Sequence, residues 1–168
     1  MTHALILLMA LLIGVVAGLR SLTAPAVVAW AGFLGWIDLH GTWASWVANI
    51  VTVVVLTVLA IAELVGDKLP KTPARTAPPA FAGRIVLGGF AGAVIGAWPH
   101  WTFSSLGAGV IGAVLGTLGG YHGRRLLVRG GRDLPVALLE DAIAIGGGFA
   151  ILATTSHVLI TYILTAVR

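Results

Sequence analysis

Residues 60–79 read AIAELVGDKLPKTPARTAPP, and the placement of this stretch decides the fold. Glu63, Asp67, Lys68, Lys71 and Arg75 crowd into it, while Pro70, Pro73, Pro78 and Pro79 forbid one regular helix through it. Long apolar runs flank it on both sides. It therefore reads as a polar connection between two membrane-buried helices, with Glu63 and Asp67 four residues apart on one helical face. The rest of the chain agrees. Its 168 residues are 58% hydrophobic and only 10% charged, with a mean hydropathy of +1.02, whereas a soluble domain carries about 25% charged residues. The expectation is a single polytopic membrane domain over residues 1–168.

The formal net charge of +4 does not indicate nucleic acid. The basic residues stand at the ends of apolar runs, where Lys and Arg set topology by staying on the cytoplasmic side. With no cysteine in the chain, disulfides, a thiol nucleophile and thiolate metal ligation are all excluded.

From Ala4 to Leu19 the chain is uncharged and apolar, enough for a short span. It lacks the cationic start of a signal peptide, and its first positive charge, Arg20, follows the apolar run; the N-terminus is expected outside. In Arg20-Ser-Leu-Thr-Ala-Pro25, Thr23 is expected to cap a helix whose first turn takes Pro25. The run Ala26 to Ile37 is short, which draws Arg20 to Ala24 partly into the bilayer. After the turn Asp38 to Thr42, Trp43 and Trp46 anchor a helix running through Ile50 to Val65.

Thr76-Ala-Pro78-Pro79 starts a further helix, and the run Phe81 to Trp98 is broken only by Arg84. RSLTAPA and ARTAPPA hint at a parallel internal repeat. Gly88, Gly92 and Gly96, then Gly112, Gly116 and Gly120, recur every four residues, a glycine-zipper spacing that lets helices approach closely in a hairpin or at a dimer face. The turn Pro99 to Ser104 is uncharged, whereas Arg124, Arg125, Arg129 and Arg132 form a second basic connection. Leu134 to Val167 exceeds one straight span, and Gly146, Gly147 and Gly148 offer a break. Counted once, it completes an all-α membrane bundle of about six helices, some short or broken, with every basic residue but Arg168 inside.

Six residues are candidates for an ion- or solute-binding site near the cytoplasmic helix ends: Arg20, Glu63, Asp67, Lys68, Glu140 and Asp141. Glu140 and Asp141 carry most weight, lying about two turns, roughly 10 Å, into their helix. A charge at such depth costs about 2.5 to 3.5 kcal/mol and takes a partner, here Arg20, Arg84 or Lys68. The plainer reading makes these ion pairs that lock helix ends. The two Thr-Ala-Pro starts, with Thr23, Lys71, Arg75 and Thr76, suggest a site for an anion or a lipid phosphate. No metal site is specified: His3, His40, His100 and His157 fall at outer ends or apolar faces, and His122 in the basic turn. No cofactor is implied. Enzymatic chemistry is not expected either, since no G-x-S-x-G elbow or Ser, His and acid arrangement appears.

ELVGDKLPKTPARTAPP, GRIVLGGFAGAVIGA, GLRSLTAPA and LLEDAIAIG together resemble a family of small bacterial integral membrane proteins known as domain of unknown function 4126. The resemblance covers nearly the whole chain. It implies a multi-pass protein of the bacterial inner membrane and brings no activity, cofactor or site residues with it. The functional expectation is a transporter or channel-like protein for a small ion or solute. The alternative is a non-transporting scaffold that binds anionic lipid or a partner. The chain is expected to form a homo-oligomer, a dimer, and to bind no nucleic acid.

Overall fold

The computed structural model describes residues 2–67, 77–127 and 133–166. Among these there are six α-helices, one short 3₁₀ turn and no strand. The helices are α1 (Thr2–Leu19), α2 (Thr23–Phe33), α3 (Ile50–Gly66), α4 (Pro78–Ile95), α5 (Thr102–Leu127) and α6 (Asp133–Ala166); the 3₁₀ turn is Ser45–Ala48. Three of them, through the segments Pro78–Ile95, Thr102–Leu126 and Pro135–Thr161, are long and apolar enough to cross a membrane. α1 and α3 are apolar but shorter. At 11 residues, α2 extends only about 16 Å, half of a ~30 Å hydrocarbon core.

Local sequence explains the helix limits. Asn49 caps α3, its side chain accepting from the Val51 amide at 2.9 Å. Pro78 and Pro79 open α4, where a missing amide costs nothing. α2 stops at Phe33, earlier than the apolar run to Ile37 suggested. Gly35 adopts φ 72°, which lets the Gly35 amide reach Gly32 O at 3.2 Å and the Trp36 amide reach Ala31 O at 2.8 Å. This closing motif requires a left-handed residue, which glycine supplies without strain. The start of α2 also differs from expectation. Leu22 holds the N-cap position with no side-chain cap bond, and Thr23 lies buried inside the first turn.

Two ends of the molecule can be told apart. At the aromatic end the His3 ring meets Trp101 at 4.4 Å, and Trp43 Nε1 donates to Thr102 at 3.3 Å. At the charged end lie the close of α1, the start of α2, the close of α3 and the start of α4.

α5 runs between α1 and α4, and glycines make both contacts possible. A Cβ at Gly18 would come within 2.5 Å of Ala113 O, and one at Gly92 within 2.5 Å of Ser105 O. Gly112 and Gly116 press on the α1 backbone at Leu11 and Val15, while Gly88 presses on α5 at Gly109 and Ala113. α6 is one unbroken helix of 34 residues, about 50 Å long. It passes through Gly146, Gly147 and Gly148 without interruption and seats Gly148 against Val27 of α2. Nothing breaks it there, because the amide and carbonyl groups of the triplet stay within the helix ladder. α2, which opens at Thr23, and α4, which opens at Pro78, both leave the charged end, but α2 stops after three turns whereas α4 continues for 18 residues.

Candidate functional site

The turn Arg20-Ser21-Leu22 brings the C-terminus of α1 against the N-terminus of α2, with Arg20 buried and Ser21 and Leu22 half-buried. Helix termini leave backbone groups without intrahelical partners, and in the absence of water the chain itself must satisfy them. Arg84 of α4 does this for α1: its Nη1 donates to Gly18 O at 2.7 Å and to Leu19 O at 2.9 Å. Thr117 of α5 adds a bond to Gly18 O at 3.3 Å. Glu63 of α3 does it for α2. Its Oε1 accepts from the Ser21 amide at 2.8 Å and also from the Ser21 hydroxyl, and its Oε2 accepts from the Leu22 amide at 2.8 Å. The guanidinium sits at a helix C-terminus and the carboxylate at a helix N-terminus, the favourable sign at each end of the macrodipole.

Arg20 itself is 0% exposed. Its Nη1 bonds Asp67, the residue that closes α3, and its Nη2 lies 2.7 Å from Asp141 Oδ1 on α6. Asp141 is 7% exposed and Arg84 4%. Such burial is sustained only with opposite charge close by, because desolvating each ion costs several kcal/mol. Among the described residues, the Arg20 guanidinium pairs with the carboxylates of Asp67 and Asp141, while Glu63 and Arg84 serve the backbone of the turn.

Of the six residues expected at an ion or solute site, Arg20, Asp67 and Asp141 meet directly, and Glu63 lies one step away across the Ser21 backbone. Glu140 is half-buried on α6. Adjacent helical residues point about 100° apart, so α6 offers Arg20 the Asp141 carboxylate and turns Glu140 to another side. Of this pair, Asp141 is the one that meets Arg20. Lys68, Lys71, Arg75 and Thr76 lie outside the described residues. The place expected for an anion beside Thr23 is taken by the chain's own Glu63 carboxylate on two of the amides there, and the Thr23 hydroxyl is buried without a hydrogen bond.

Arg84 is the residue whose role was least evident from sequence. The signal for it was that it is the sole charge between Phe81 and Trp98. His3, His40 and His100 stand apart from the cluster. His40 and His100 flank a cleft of about 350 Å³ at the aromatic end, with Trp98 and Pro99, and His3 approaches Ser104 Oγ at 3.3 Å. Among the described residues, no three His, Cys, Asp or Glu side chains group for a metal ion. No family model, curated protein or solved structure matches the chain.

Proposed function

We propose that this chain is a small multi-pass protein of the bacterial inner membrane, of the kind its resemblance to domain of unknown function 4126 implies, and that it moves a small ion or solute. The Arg20, Asp67 and Asp141 cluster is its charged site, near the cytoplasmic ends of the helices. One observation carries this reading. The ends of α1 and α2 are already satisfied by Arg84, Thr117 and Glu63, so the buried Arg20 with carboxylates from two other segments is not needed to cap either helix. Charge kept inside an apolar bundle at such cost, beyond what the backbone requires, marks an ion or solute path. The test is flux in proteoliposomes against a panel of ions. Flux of an ion is expected, and it is lost in Asp141→Asn. Absence of flux for every ion, or an Asp141→Asn variant equal to the parent, overturns the reading.

A second reading has its own observation: each carboxylate of the cluster is already bonded within the chain. On this view the protein is a non-transporting scaffold whose basic connections hold anionic lipid and whose lipid-exposed faces assemble a homodimer. Asp141→Asn then lowers stability alone, with no transported ion to lose.

A further inference from the structure

The aromatic end holds two histidines whose rings are uncommitted. His40 and His100 are both exposed. Among the described residues neither ring has a hydrogen-bond partner, whereas the His3 ring meets Ser104 Oγ at 3.3 Å and the His122 ring meets Leu118 O at 2.8 Å. Both line one cleft of about 350 Å³, together with Gly41, Thr42, Trp98 and Pro99.

His100 stands there at a conformational cost. The turn after α4 closes with the His100 amide on Ala97 O at 3.3 Å and the Trp101 amide on Gly96 O at 2.9 Å, the same pair of bonds that Gly35 and Trp36 make after α2. The motif needs a left-handed residue, most often glycine. After α2 that residue is Gly35 at φ 72°, but after α4 it is His100 at φ 60°, where a Cβ is unfavourable and glycine would be at ease. A side chain kept at such a φ points to a use for it. His40 reaches the cleft from a turn that does use glycine: the Thr42 amide bonds Leu39 O at 3.2 Å, and Gly41 takes φ 71°. The buried Leu39 and Pro99 seat the two turns.

We propose that His40 and His100 are two ligands of a borderline divalent transition-metal ion such as Zn²⁺, bound in this cleft with water in its remaining positions. Neutral imidazole suits these ions. Hard ions such as Mg²⁺ and Ca²⁺ need oxygen ligands, yet no residue lining the cleft carries a carboxylate, and the nearby Asp38 is turned onto the His40 amide at 2.9 Å. The Thr42 hydroxyl is committed too, donating to Leu39 O at 2.8 Å. The two imidazoles are the groups left to bind. They belong to different connections, one between α2 and α3 and the other between α4 and α5, so the ion ties together two loops far apart in sequence. The site lies at the end opposite Arg20 and does not depend on the transport reading.

The test titrates the full chain, purified without a histidine tag, with Zn²⁺ and with Mg²⁺ as the hard-ion control. One Zn²⁺ per chain is expected, and no Mg²⁺. Losing an outer-shell partner already weakens a metal site by roughly 10–100-fold, so losing a ligand in His40→Ala or His100→Gly is expected to weaken Zn²⁺ by about tenfold or more. His100→Asn is expected to match His100→Gly, since glycine and asparagine both accept the left-handed φ and leave the turn intact. His3→Ala and the exposed His157→Ala are expected to bind as the parent does. Because the ion binds the folded chain, Zn²⁺ is also expected to raise the unfolding temperature of the parent and of neither cleft variant. The proposal is overturned if Zn²⁺ does not bind, if His40→Ala or His100→Asn binds it as the parent does, or if His3→Ala or His157→Ala loses it.

Discussion

Arg20 is held by a balance that single substitutions expose. Burying it is costly, and two carboxylates at bonding distance offset that cost. Removing the cation alone takes the Arg20 charge away from the half-buried Asp67 and the buried Asp141, so Arg20→Met is expected to lose about 3 to 5 kcal/mol of stability. Removing the whole network leaves no charge behind, and such replacements are often close to neutral. The triple variant Arg20→Met/Asp67→Asn/Asp141→Asn is therefore expected to regain most of the loss, as read from unfolding in detergent micelles. If the triple variant is as unstable as the single one, the three side chains do not act as one electrostatic unit. A folded triple variant also separates the two functional readings, because a transporter without its charged site gives no flux while a scaffold is unaffected.

At the scale of helices, backbone contact through glycine decides what α5 tolerates. Gly112 and Gly116 lie directly on the α1 backbone, whereas Gly119 has nothing near its missing Cβ. Gly112→Leu or Gly116→Leu forces rigid backbone apart, beyond the 1 to 3 kcal/mol of ordinary overpacking, and is expected to abolish a monodisperse, heat-stable species on size exclusion. Gly119→Leu is expected to behave as the parent. The failure of the first two is loss of the fold and not merely of a dimer, because their partner is α1 of the same chain. The four-residue period of these glycines was legible in the sequence; their partners were not. Gly109, which meets α4, and Gly112, which meets α1, stand three residues apart, about 60° around the helix. That offset serves two neighbours at once, and only packing reveals which stripe meets which. The same limit applied to Asp141 and Glu140, neighbours in sequence whose directions are set by the phase of α6. The breaks between helices were easier to read, since proline, Arg20 and the charged run at Glu63 to Arg75 interrupt apolar stretches regardless of phase. Glu63 as the cap of α2 was beyond reach, because it joins residues 41 and 42 positions apart.

Across the whole molecule, the basic side chains among the described residues are sorted to one end. Arg20 and Arg84 are buried near it, Arg124 and Arg125 lie in the last turn of α5, and Asp133 begins α6 there. The opposite end carries His3, Trp43, Trp98, Trp101 and Thr102, none of them cationic in the sense that fixes topology. Asp141 stands eight residues into α6, about 12 Å along its axis. α6 is some 20 Å longer than a ~30 Å core, so it can cross the membrane tilted and still leave that turn at the edge of the hydrocarbon. The rule that retains Lys and Arg in the cytoplasm predicts an orientation with Thr42 and Ser104 outside and Arg125 inside. Single cysteines at those three positions, treated in intact cells with a membrane-impermeant thiol reagent, are expected to label at Thr42 and Ser104 and to label at Arg125 only after permeabilisation. Labelling of Arg125 in intact cells reverses the orientation and puts the Arg20 cluster toward the outer face, where a cytoplasmic-side site no longer describes it.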